Sequence, residues 1–258
     1  MVAIVIAITI IGCSLAVAVP SSVTGSKTIV VDVGHGGEDG GVVGASGVKE
    51  SDINLAIAVK LKKCLIDGGY KVVMTRESDV GLYGAATKNK KLADMKKRKS
   101  IICEAKPALM VSIHQNYYPS KYVSGAQVFY APDGKSKAEA TETQGVLNRM
   151  LNCNRNAMPG DYYVLQCSPY PSLLIECGFV SNPEEERKLI SAGYQETVAY
   201  AIYTAINFSL TARQNLKLSA KDIETIAACI SMDSRYVKHI SVIAEILVMA
   251  KQYFRSYE

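Results

Sequence analysis

TIVVDVGHGGEDGG at residues 28–41, KESDINLAIAVKLKKCLIDGG at 49–69 and YKVVMT at 70–75 together decide the fold. Thr28 to Val33 is apolar and β-branched, and the glycine-rich run after it cannot continue a strand. From Ser51, apolar residues recur at Ile53, Ile57, Leu61 and Leu65, the spacing of a helix with one buried face, and Gly68-Gly69 ends it. Tyr70 to Thr75 then resumes as a strand. A strand, helix and strand in this order form a right-handed crossover, which makes the two strands parallel members of one sheet.

The alternation continues outward. A helix is predicted over Lys90 to Glu104 with Leu92, Met95, Lys99 and Cys103 on one side, ended by Pro107. Strands follow at Leu109 to His114 and Ala126 to Ala131, a helix at Ser136 to Asn152, a short strand at Tyr162 to Leu165 and a central apolar run at Pro171 to Glu176. Asn182-Pro183-Glu184-Glu185 starts a helix with proline and carboxylates in its first turn, and Gln195 to Phe208 forms another. The expected class is α/β: one domain over 28–209 with a mixed, mostly parallel central sheet flanked by helices. A chain of 258 residues with 48% hydrophobic and 21% charged content can bury one such core and a small appendage.

Both ends differ from this domain. Residues 1–19 carry no charge and are long enough to cross a bilayer, so a signal peptide or membrane anchor is expected, with 20–27 as linker. Ala16-Val17-Ala18 offers a cleavage site, and Ile10 to Cys13 resembles a lipoprotein box. The chain is accordingly expected outside the cytoplasm, in the cell wall or on the outer face of the membrane. Residues 210–258 read as a helical hairpin, a C-terminal extension of open role that offers a surface to the domain or to a protein partner. Seven cysteines without a CxxC pair argue for thiols rather than a disulfide framework. The net charge of +5 favours an anionic partner. The basic run from Lys88 to Lys99 serves either as a solvated helix face or as an attractor of anionic polymer. Neither GK[ST] nor GxGxxG accompanies the glycine-rich loop, which excludes nucleotide chemistry; no nucleic-acid partner is expected.

Chemistry concentrates in four residues. His35 lies two residues past one strand, His114 ends a second and Glu176 ends a third, while Glu50 precedes a helix that the glycine-rich loop can bring to the same edge. Ligands bind open α/β sheets beyond the carboxyl ends of their strands. Two histidines and a glutamate with a fourth position left for water are the ligand count of a catalytic zinc. Glu176, inside LLIECGF, needs a metal, a proton or a cation to compensate burial, and is assigned as general base. Taken singly, each has a plainer reading: a structural histidine, a helix N-terminal acid at Glu50, or an ion pair of Glu176 with Arg76. His239, on the C-terminal extension, reads as a surface or packing residue.

Several motifs in order resemble the zinc-dependent N-acetylmuramoyl-L-alanine amidases of bacterial cell walls, the type 3 family: DVGHGGEDGG (32–41), KESDINLAIAVKLKKCL (49–65), VVMTRESD (72–79), VSIHQN (111–116), GAQVFY (125–130) and IECGFVSNPEE (175–185). The resemblance covers about 28–208. It implies Zn2+ held by His35, Glu50 and His114, with Glu176 as catalytic acid and base. The implied reaction is hydrolysis of the amide between N-acetylmuramic acid and L-alanine in peptidoglycan. The alternative is a non-catalytic or partner-activated peptidoglycan-binding protein that retains the fold.

Overall fold

Residues 27–85 and 88–212 are described by the computed structural model. In chain order they form β1 (Thr28–Val33), α1 (Glu50–Asp67), β2 (Lys71–Met74), α2 (Lys90–Ala105), β3 (Leu109–Asn116), β4 (Gln127–Tyr130), α3 (Lys137–Met150), β5 (Met158–Pro159), α4 (Tyr163–Gln166), β6 (Ser172–Phe179), α5 (Pro183–Leu189) and α6 (Ala192–Ala212). The six strands make one sheet in the order β2-β1-β3-β6-β4-β5. Every pairing is parallel except the antiparallel contact of β4 with β6. The mixed, mostly parallel α/β sheet is therefore as expected.

Side chains alternate across a strand, and this sorts the core. Val31, Val111, Ile113 and Ile175 face a large cluster closed by α1, α3 and α6, in which the predicted stripe Ile53, Ile57, Leu61 and Leu65 is fully buried. Val30, Met110 and Leu174 face a smaller cluster closed by Ile102 of α2 and by Val164 and Leu165 of α4. Continuing two residues at a time along this second face brings Asp32, Ser112, His114 and Glu176 toward the carboxyl ends of β1, β3 and β6. The apolar pattern thus carries polar chemistry to one edge of the sheet.

Two expectations are corrected. Tyr162 to Leu165 is not a strand: residues 163–166 form α4, and the edge pairing with β4 is made by Met158–Pro159. Val164 and Leu165 are consecutive apolar residues that both pack on the smaller cluster, and periodicity cannot separate such a short run from a strand. On α2 the buried face is Asp94, Arg98 and Ile102, while Leu92 is exposed. This helix docks through charge at i, i+4 and only then through an apolar residue, so the basic run is neither wholly solvated nor wholly free. Lys90 and Lys91 are ion-paired and Arg98 is buried.

The expected anchor at 1–19, all but Lys27 of the linker, and the hairpin within 210–258 beyond residue 212 lie outside the described residues. No helix among the described residues is long and apolar enough to cross a membrane. The five described cysteines, Cys64, Cys103, Cys153, Cys167 and Cys177, are free thiols, with only Cys177 fully buried.

Candidate active site

The loop from Gly34 to Lys49 doubles back through an isolated bridge between Gly36 and Asp39 and another between Val43 and Lys49. Its return places Glu50, the first residue of α1, beside the ends of β1 and β3. His35, Glu50 and His114 converge there, with one ligand atom from each lying within 4.8 Å of the others. His35 Nε2 is 3.2 Å from Glu50 Oε2 and His114 Nδ1 is 2.9 Å from Glu50 Oε1. The two rings stand edge to face, centroids 5.1 Å apart.

The surroundings fit a metal ion. Glu50 is buried, and its carboxylate also accepts from the backbone N–H groups of Val42 and Gln115 at 3.0 Å and from Asn54 Nδ2 at 3.3 Å. Burial opposes ionisation of Glu50, but hydrogen bonds and charge from His114 and His35 outweigh it and depress its pKa. His35 is pulled down by burial, yet the carboxylates of Glu50 and Asp39 raise it above its ordinary value. Two imidazoles aimed at one ionised, immobilised carboxylate form the donor set of a divalent cation with nitrogen and oxygen preferences. The cradle also leaves no room for side chains: a Cβ on Gly34 would lie 2.4 Å from His114 Cε1, and one on Gly41 2.5 Å from Glu50 Oε2.

Glu176 stands directly opposite His114 in the parallel register of β3 and β6, with Gln127 of β4 on its other side. It is 7% exposed, and its Oε2 is buried with no hydrogen-bond partner among the described residues. Burial first, and the Glu50 carboxylate second, push its pKa up to about 8. The alternative of an ion pair with Arg76 is not what the structure has. Arg76 donates instead to the carbonyls of Val33, Gly34, Ser51 and Ser78. A buried carboxyl poised near neutrality beside a cluster able to hold a metal can accept and return a proton.

Sequence reasoning missed the scaffold around these four. Arg98, 2% exposed, donates to Asp32 at 2.6 Å, to Asp94 at 2.6 Å and to the carbonyls of Val33 at 2.7 Å and His35 at 2.9 Å. Asp32 in turn accepts from Ser112 Oγ at 2.6 Å. Burial would raise Asp32, but Arg98 and Ser112 hold its pKa below the ordinary value. The one available signal was an arginine on the same helical stripe as Asp94, which reads on its own as a surface pair.

Comparison with known proteins agrees with this fold. The model of the type 3 N-acetylmuramoyl-L-alanine amidases matches residues 29–207. The chain belongs to this amidase family. Among its relatives is the germination-specific N-acetylmuramoyl-L-alanine amidase of Bacillus subtilis, 39% identical over 186 residues that cover 70% of this chain and 78% of the relative. The CwlD amidase of Clostridioides difficile, solved in complex with the GerS lipoprotein, is 39% identical with a TM-score of 0.69 over 72% of this chain and 99% of that one. The catalytic domain of the amidase CwlV from Bacillus (Paenibacillus) polymyxa is 30% identical with a TM-score of 0.65, covering 72% and 98%. Family membership makes the chain an enzyme of the N-acetylmuramoyl-L-alanine amidase class, with the converging cluster at its sheet edge.

Proposed function

We propose that this amidase is zinc-dependent, with His35, Glu50 and His114 as ligands and Glu176 as general base and acid. It cleaves the amide between the lactyl group of N-acetylmuramic acid and L-alanine in peptidoglycan. Zinc held there would supply Lewis acidity, polarising the scissile carbonyl and acidifying water. Glu176 takes a proton from the attacking water on its buried carboxylate and returns it to the leaving nitrogen of alanine. Asn54 and Gln115 keep the Glu50 carboxylate oriented: Gln115 Nε2 donates to Asn54 Oδ1 at 3.1 Å, and Asn54 Nδ2 to the Gly34 carbonyl at 3.2 Å. The observation that carries this reading is the orphaned Glu176 oxygen in register with His114.

The reading extends to an extracytoplasmic site of action, with 28–209 as the catalytic domain and 1–19 as signal or anchor. The germination-specific relative supports a role in spore or cell-wall remodelling. The lipoprotein bound to the Clostridioides difficile relative supports a protein partner for this chain too, and residues 210–258 are the segment we assign to meeting it. The test is incubation of the zinc-loaded full chain with purified peptidoglycan and detection of newly freed alanine amino termini. Their appearance with wild type and loss in Glu176→Gln, zinc retained, is the expected result. Cleavage of cross-links or of glycan instead would overturn it, and activity only after a partner is added would favour the partner-activated alternative.

A further inference from the structure

We propose that Asp39 is a positioning residue of the metal site: anchored from α2 by Lys91, it fixes the His35 ring with Nε2 turned into the cluster and so sets metal affinity. The inference rests on reading His35, Glu50 and His114 as ligands.

Asp39 Oδ1 lies 2.8 Å from His35 Nδ1 and also accepts from the Gly41 N–H at 3.2 Å, while Oδ2 accepts from Lys91 Nζ at 2.7 Å. An ionised carboxylate only accepts, so Asp39 keeps a proton on Nδ1, and Nε2, which lies 3.2 Å from Glu50 Oε2, is the ring nitrogen that would bind a metal there. Metal-bound histidines ordinarily have their second nitrogen fixed in this way. The backbone of His35 is held as firmly. It sits at φ 59°, a left-handed conformation that disfavours a side chain by roughly 1 kcal/mol or more. It is retained there by Arg98 Nη2 donating to the His35 carbonyl at 2.9 Å, and the reciprocal backbone bonds of Gly36 with Asp39, 2.8 and 3.3 Å, close the turn. Lys91 and Arg98 are seven residues apart, two helical turns, and therefore share one face of α2. One helix thus grips His35 at its carbonyl directly and at its ring through Asp39. His114 has no such support: among the described residues the carboxylate on its ring is Glu50 itself.

The experiment measures Zn2+ affinity of the metal-stripped full chain by competition with a chromophoric chelator, together with metal-free melting temperature. Asp39→Asn is expected to weaken zinc binding by about 10–100-fold, and Lys91→Met to weaken it by a smaller factor, while metal-free melting stays close to wild type. Lys90→Met removes the neighbouring pair with Glu38 and the contact of Lys90 with the Tyr83 ring, neither of which touches His35 or Asp39, and is expected to leave affinity unchanged. Wild-type affinity in Asp39→Asn, or an equal loss in Lys90→Met, would overturn the proposal by assigning no role to Asp39 or a general one to helix docking. A wild-type chain that binds no zinc would instead overturn the ligand assignment, and the proposal with it.

Discussion

His114 and Glu176 face each other across adjacent parallel strands, β3 and β6, in exact Cα register. That pairing sets the His114 imidazole beside a carboxyl whose Oε2 has no hydrogen-bond partner among the described residues. The sheet itself, rather than a loop, fixes their separation, which is the rigidity that the proposed proton transfer by Glu176 would require.

Replacing Glu176 with glutamine keeps the shape and removes the proton acceptor. Turnover is expected to fall by roughly 10²–10⁴-fold, with zinc content unchanged by metal analysis. Loss of zinc in this variant would move Glu176 from proton transfer to ligation.

Stability of the metal-stripped chain should depend on pH through three groups of the site, beside Asp32 and Asp39, whose depressed carboxyls contribute stability that is lost only as pH falls below about 3.8. Glu176 rises from 4.5 to about 8 on folding; its burial is harmless while both states are protonated, and stability falls as pH rises through that window. Glu50 is depressed, so its contribution is present above 4.5 and lost as pH falls below it. His35 is raised, so its contribution is complete below 6.5 and lost above. Urea midpoints should peak at about pH 5 and decline toward pH 8, and Glu176→Gln should flatten the decline between 4.5 and 6.5.

Gly34→Ala tests the cradle. The added methyl meets the His114 ring at 2.4 Å, inside any tolerable contact, and because Gly34 does not have the left-handed φ that favours glycine the effect is steric rather than conformational. Zinc affinity and amidase activity should both drop sharply. Gly193→Ala, with nothing within 4 Å, is the control and should preserve both.

Arg98→Met leaves Asp32 buried and unpaired. Removing one partner of a buried ion pair typically destabilises by about 3–5 kcal/mol, which denaturant unfolding would register. Lys91→Met breaks an exposed pair and should change stability by less than about 1 kcal/mol.

Much of the fold was legible because burial imposes periodicity. The α1 stripe, the β-branched strands and the Asn182-Pro183 helix start, where Asn182 Oδ1 accepts from the backbone N–H groups of Glu184 and Glu185, each follow from local rules. Misreadings occurred where local rules are silent. Val164 and Leu165 carry no period, and α2 buries Asp94 and Arg98 on a face that hydrophobicity assigns to water.

By itself the sequence determined most of the strand and helix order and the sheet edge at which His35, Glu50, His114 and Glu176 gather, because apolar spacing and strand ends are properties of neighbours in the chain. Only the tertiary structure decided that the Glu50 carboxylate lies between two imidazoles, that Glu176 Oε2 is left without a hydrogen-bond partner among the described residues, and that Arg98 and Lys91 hold the first loop from α2. Those are contacts between residues as far as 64 positions apart, and their energies arise from burial and distance, which no local pattern encodes.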